Sequence, residues 1–261
     1  MSSGTPLEKP TQRPRHLLPL VAIALIASLG GCQHESDDVP LPSVSAPTTE
    51  VTPPLLPTDG DTRAVPPLPQ SGDISAGTYL VPVARHKEPF EITVPDGWFA
   101  VDGQSLGKDD PDHPAEWAVY LTFSTADYVS MDACIWPGAL TDVGPAAEAF
   151  VKAMAAQSWT VSTPPVEVMV GDYSGVEFDH SVEGDVVFKA CGAGRLCIHS
   201  ESNVTCSRSY FTQNEHETYR VVDLEGQRAV VSVGYIDESI NPVLMKEARA
   251  VFDSIVFRSY K

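Results

Sequence analysis

Tyr219-Arg220-Val221-Val222-Asp223-Leu224-Glu225-Gly226-Gln227-Arg228-Ala229-Val230-Val231-Ser232-Val233 decides the fold class. Two runs rich in β-branched residues flank a three-residue connection that contains glycine, the signature of an antiparallel hairpin. Downstream, Asn241 caps a helix that Pro242 opens, and Leu244, Ala248, Val251, Phe252 and Ile255 form its apolar stripe. A short strand, Val256-Phe257, follows. Upstream, Phe90–Val94 alternates and stops at the turn Pro95-Asp96-Gly97, and Trp117, Val119, Leu121 and Phe123 share one strand face. Tyr128–Trp136, Val166–Val170, Tyr173–Val182 and Val186–Ala190 read as further strands. Ala147, Phe150, Val151 and Met154 recur at helical spacing until about Gln157. Runs of strands with two inserted helices predict an α+β fold, an antiparallel β-sheet flanked by two helices, and not a βαβ parallel sheet.

The aromatic residues mark where this fold begins. The chain has 261 residues, and all twenty-one Phe, Trp and Tyr lie between Tyr79 and Tyr260. A core without aromatics over residues 1–78 would lack much of its usual buried area. The sequence therefore predicts a globular domain over 79–261 and assigns everything before it to targeting and tethering.

Residues 1–31 read as a lipoprotein signal. Lys9, Arg13 and Arg15 give a positive start, and the apolar run Leu17–Leu29 is too short for a spanning helix, which needs about 20 residues. The run ends in Leu29-Gly30-Gly31-Cys32, which resembles a bacterial lipobox. The resemblance implies cleavage before Cys32 and diacylglycerol on its sulfur, so the expected location is the cell membrane, lipid-anchored on its extracytoplasmic side. Residues 32–78 then read as the lipidated cysteine and a disordered linker, with nine prolines between Val39 and Gln70. Such a tether reaches about 35–40 Å as a coil and up to about 140 Å as polyproline II.

Charge narrows the partners. A net charge of −18 argues against nucleic acid, which needs a basic footprint, and against simple attraction to anionic lipid. Membrane attachment is expected through the lipid on Cys32. Cys134, Cys191, Cys197 and Cys206 remain as an even set outside the cytoplasm and read as two disulfides. Three connectivities are open; the favoured one joins Cys134 to Cys191, pinning the middle of the sheet, and Cys197 to Cys206 across a short hairpin loop. A zinc site built from these cysteines with His180 or His199 is the competing reading, disfavoured because no close CxxC pair is present.

Motifs that carry chemistry are sparse. Gly171-Asp172-Tyr173-Ser174-Gly175 places its serine one position too late for a nucleophile elbow, so Ser174 reads as a turn. Gly192-Ala193-Gly194-Arg195 is a GxG fragment without phosphate-binding spacing. Glu215-His216-Glu217 lacks the second histidine of a zinc helix and reads as a solvated turn. Asp109-Asp110-Pro111-Asp112 lacks the spacing of a calcium loop and reads as an exposed acidic loop. Trp98, Trp117, Trp136 and Trp159 are assigned to core packing. No cofactor, metal or catalytic residue is expected.

Phe90–Trp98, Gly171–Val176, Val222–Val231 and Ala250–Phe257 resemble the landmarks of an exported actinobacterial lipoprotein domain of unknown function. The order of the Val94-Pro95-Asp96-Gly97-Trp98 strand end, middle helix and closing helix is more distantly similar to PsbP-like lipoproteins. The resemblance implies an antiparallel sheet with helices on its faces, places Cys134 and Cys191 where related chains carry cysteines, and implies an accessory binding role. The expected function is thus a lipid-anchored envelope module that recognises a protein or an amphiphilic envelope component. The alternative is an envelope hydrolase whose site is assembled from distant strands.

Overall fold

A computed structural model describes residues 65–82, 89–110, 113–236 and 242–258. The signal segment, Leu29, Gly30, Gly31, Cys32 and the linker up to residue 64 lie outside the described residues. In chain order the elements are β1 (Gly72–Ile74), β2 (Gly77–Val81), β3 (Phe90–Val94), β4 (Trp98–Val101), β5 (Ser105–Asp110), β6 (His113–Ser124), β7 (Tyr128–Ser130) and β8 (Leu140–Asp142). Helix α1 (Ala147–Ala155) follows, then β9 (Thr160–Ser162), β10 (Val166–Val170), β11 (Tyr173–Val182), β12 (Leu196–Ser200) and β13 (Arg208–Tyr210). The quoted hairpin is β14 (His216–Asp223) with β15 (Arg228–Tyr235), before α2 (Pro242–Asp253) and β16 (Val256–Phe257).

The fold class is as predicted: α+β, with strands paired antiparallel throughout. The sheet architecture is richer than one sheet. A nine-stranded sheet runs β1-β4-β5-β6-β15-β14-β11-β10, with β9 also on β11. A four-stranded sheet, β13-β12-β7-β8, and a three-stranded sheet, β16-β3-β2, complete it.

Alternation along the hairpin creates two cores, one on each face of the large sheet. Val222 and Val231 point to one side, where α2 brings Leu244, Ala248, Val251 and Phe252 and β3 brings Phe90 and Ile92. Val221, Tyr219 and Val230 point to the other, where α1 brings Phe150 and Met154 and the four-stranded sheet brings Val129, Leu196 and Ile198. From Ala118 onward both faces of β6 are covered, with Val119, Leu121 and Phe123 in the first core and Tyr120 buried on the opposite side. Two buried polar side chains fasten the second core. Arg228 donates to the carbonyls of Thr125, Ala126 and Ala146, and Gln157 donates to those of Ser130 and Ile198. On the other face Arg220 joins Glu177 at 2.7 Å and also reaches Asp253 and the Phe252 carbonyl, clamping the end of α2 to the sheet.

Three expectations are corrected. The ordered fold takes in residues assigned to the linker: Leu68 is buried, its N–H donates to the Leu80 carbonyl, and β1 pairs with β4 through Ile74 and Trp98. Aliphatic side chains and backbone pairing anchor this entry segment without any aromatic. The expected strand over Tyr128–Trp136 ends at Ser130, because the Asp132 carboxylate accepts the N–H groups of Cys134 and Ile135 and turns the chain. The expected strand Val186–Ala190 is instead an irregular segment ending in a 3-10 turn, Phe188–Ala190, closed by the Ala190 and Cys191 N–H groups, which delivers Cys191 to its disulfide.

Candidate functional site

A concavity lies between α1 and the β10–β11–β14 end of the large sheet. Its wall is Ala147, Glu148 and Val151 of α1; its floor is Glu167 and Met169 of β10, Ser174 and Val176 of β11, and Val221 and Asp223 of β14. The groove measures about 700 Å³ and continues into a second hollow of about 820 Å³ beside Asp172, Tyr173 and Glu225, the two sharing Met169, Ser174 and Asp223. The register Met169↔Ser174 and Glu167↔Val176 sets apolar and acidic side chains side by side on this face. Every charged residue lining the two hollows is acidic. The arrangement suits an amphiphilic, cationic surface.

A second polar cluster borders the second core and is buried but for part of Arg208. Glu217 of β14, with no exposed surface, accepts from Arg208 Nε at 2.9 Å, from the Ser232 hydroxyl at 2.9 Å and from the Tyr219 hydroxyl. Arg208 also donates to the Tyr120 hydroxyl and to Glu215 at 3.2 Å, and its guanidinium stacks 4.4 Å from the Tyr120 ring. Burial lowers the Arg208 pKa taken alone, but Glu217 and its neighbours outweigh this and hold the guanidinium well above its ordinary range. Burial pushes the Glu215 carboxyl up against the opposing pull of Arg208. The Tyr120, Tyr210 and Tyr219 hydroxyls are likewise raised by burial.

His180 and His199 complete this interior. Both rings stand edge-on to Tyr219 at 5.9 Å, His180 Nδ1 meets the Tyr210 hydroxyl at 3.1 Å, and His199 sits 5.8 Å from Phe150. His180 Nε2 and both nitrogens of His199 are buried without a hydrogen-bond partner. Burial, reinforced by Arg208 and neighbouring imidazoles, lowers both pKa values to about 3. At neutral pH both are uncharged rings packed as aromatics.

The structure places the sequence candidates as follows. Cys134 bonds to Cys191 and Cys197 to Cys206, with Cα separations of 4.5 and 5.8 Å. The cysteines are thus engaged with each other, while His180 and His199 pack around Tyr219. Ser174 lies in the groove, among lining residues that include carboxylates but no imidazole. Glu215-His216-Glu217 is no solvated turn: Glu215 and Glu217 are buried on Arg208, while His216 stacks on Tyr235 at 5.3 Å. Asp109 and Asp110 end β5 and are not a loop, and Asp110 is buried. Trp98 and Trp136 are core residues that donate to Glu247 and to the Gly192 carbonyl; Trp159 is substantially exposed and holds a positive φ of 74°.

Sequence reasoning missed the groove residues Glu148, Met169 and Asp223 and the Arg208–Glu217 pair. The one available signal for the groove was Pro164-Pro165 directly before Val166–Val170, since proline marks the margin of a sheet.

No family model and no curated protein matches this sequence. Among solved structures, the chain is similar to the cyanobacterial PsbP protein (CyanoP) of Synechocystis sp. PCC 6803, with 14% identity over 78% of this chain and 99% of that one, at a TM-score of 0.35. It is also similar to LpqN of Mycobacterium tuberculosis, a protein involved in cell envelope biogenesis, with 10% identity over 70% of this chain and 91% of the other, at a TM-score of 0.34. At these TM-scores neither likeness enters the functional argument.

Proposed function

We propose that this chain is a lipid-anchored accessory module of a bacterial envelope, attached through Cys32, that works by binding a protein or amphiphilic envelope component in the α1–β10–β11–β14 groove. One observation carries the reading: access and chemistry are separated. The accessible groove presents apolar and acidic side chains suited to contact, whereas His180, His199, Glu215 and Tyr219 are locked in the core. A hydrolase reading needs Ser174 or a carboxylate pair beside an imidazole, and among the described residues lining the groove there is none. Two disulfides support an oxidising, exported setting. The lipobox Leu29-Gly30-Gly31-Cys32 supports the anchor.

The test is made in intact cells. Mass spectrometry of detergent-extracted protein is expected to show loss of residues 1–31 and diacylglycerol on Cys32. A photo-crosslinker at Met169 is expected to give a discrete adduct, and one at the comparably exposed Val204, between β12 and β13, is expected to give none. Equal labelling at both positions, or none at Met169, would reject the groove as the binding site.

A further inference from the structure

We infer that β10 accepts an added strand: an extended, cationic segment of a protein partner, alternating Lys or Arg with apolar side chains, pairs along the outer edge of β10 and lays its basic side chains over the groove. This rests on the binding reading above and adds to it the partner's conformation and charge.

Three features of the edge lead there. First, β10 is the last strand of the large sheet and pairs with β11 alone, from Val166↔Glu177 to Val170↔Tyr173, so its outer row of N–H and C=O groups has no strand partner among the described residues. Edge strands are ordinarily protected by proline, lysine or brevity. Here the protection stops at Pro164-Pro165, and Val166-Glu167-Val168-Met169-Val170 carries neither proline nor lysine over five residues, about 17 Å of strand.

Second, the exposed apolar residues of β10 lie on opposite faces. Val166 is 58% exposed and Met169 is 67% exposed, and their odd separation sends them to different sides of the pleat. A helix or lipid chain resting in the groove would cover Met169 and leave Val166 in water. A strand on the edge covers both, because its alternate side chains reach each face.

Third, the charge is one-sided. Glu148, Glu167 and Asp223 line the groove and no Lys or Arg does. An added strand would place its groove-side residues beside Glu167 and Met169, which calls for Lys or Arg there, the charged head on the carboxylate and the aliphatic stem over Met169. Its other face meets Val166 and Val168, which calls for apolar residues only.

The probe is a fluorescein-labelled decapeptide alternating Lys and Val, with a Glu–Val decapeptide as control, titrated into the full chain purified in detergent. The Lys–Val peptide is expected to bind more weakly as salt rises and to lose at least tenfold in affinity in the Glu167→Lys, Asp223→Lys double variant, which is expected to accept the Glu–Val peptide instead. Both substituted residues are exposed, and an unchanged urea midpoint will confirm that the variant folds. Amide hydrogen exchange at residues 166–170 is expected to slow at least tenfold on binding. Affinity indifferent to the charge reversal overturns the proposal. Protection confined to α1 and β14 overturns strand addition while leaving the groove as a binding site; failure of the binding reading itself shows separately, as a missing Met169 adduct in cells.

Discussion

Lowering the pH from 7.5 to 5 is expected to remove about 4 kcal/mol of stability, and two side chains account for it. His180 and His199 are buried, their free nitrogens lack hydrogen-bond partners, and their pKa values fall from 6.5 to about 3. In the unfolded chain each imidazole protonates below pH 6.5, while in the folded protein each stays neutral until about pH 3. The unfolded state therefore binds more protons as pH falls, and stability declines with it. The contribution is complete above pH 6.5, shrinks below it, and is exhausted near pH 3. At pH 5 the unfolded-state protonation is worth about 2 kcal/mol per histidine, a figure fixed by the 1.5-unit distance from 6.5 and insensitive to the folded value so long as that lies below about 4.5.

Groups packed around the pair act in known directions. Arg208 opposes protonation of both rings, Arg228 adds to this at His199, and His216 adds to it at His180. Glu215, whose pKa burial raises, has the opposite sign: the folded state takes its proton first, so it returns some stability as pH falls through the carboxylate range. The assay is urea unfolding, disulfides intact, at half-unit steps from pH 7.5 to 5, on the wild type and on His180→Phe with His199→Phe. The wild type should lose about 4 kcal/mol against a domain total of about 5–15 kcal/mol, and the double variant should hold a nearly flat line above pH 5.5. A flat wild-type profile, or the same slope in both proteins, would refute the assignment of these imidazoles as neutral core residues.

Other consequences are equally measurable. Glu217→Gln leaves Arg208 with Glu215 as its one remaining carboxylate and should cost about 2–3 kcal/mol in urea unfolding, with Arg208→Met plus Glu217→Met together costing less than the sum of the separate changes. Replacing Cys134 and Cys191 by Ser releases a 57-residue separation and should cost about 4 kcal/mol, against about 3 for Cys197 and Cys206, which are nine apart. Gly171→Ala sets a Cβ 2.1 Å from the Phe257 carbonyl oxygen at a φ of +65°, so it should lower stability by about 2–4 kcal/mol and speed amide exchange at Asp172, whose N–H donates to that carbonyl.

The legible parts of this fold are those where local pattern and environment agree. β3, β10 and β11 match the runs read from sequence, and the hairpin and both helices lie where turn residues and spacing put them, because each has one dominant buried face or a strong stop signal. β12 is not legible as a strand: Leu196-Cys197-Ile198-His199-Ser200 is buried along its whole length, so no alternation betrays it. The same bias hid the Arg208–Glu217 pair, since charged residues are assigned outward unless a partner is known, and the partner sits on another strand. The linker boundary slipped because aromatic content marks a core's centre better than its margin. The groove was out of reach for a different reason: it depends on which strand ends the sheet, a property of the assembled topology.

That topology also explains how an open edge is tolerated. The far end of the large sheet is β1, three residues long and begun by a glycine, an edge too short to recruit another strand. β10 is longer and carries neither proline nor lysine, so a second copy of this chain is the obvious competitor for it. Charge removes that competitor. Pairing two β10 edges would bring Glu167 toward Glu167 and the acidic hollows of each copy into apposition, within a chain already at −18. Like charges facing each other destabilise such a pairing, while the same carboxylates favour a basic strand in that place. On the strand-addition proposal the acidity of the groove would perform two tasks at once, keeping copies of the domain apart and selecting the sign of the partner. Neutralising it by Glu167→Gln with Asp223→Asn would weaken both, and a rise in self-association on sedimentation should accompany the loss of affinity for the cationic peptide.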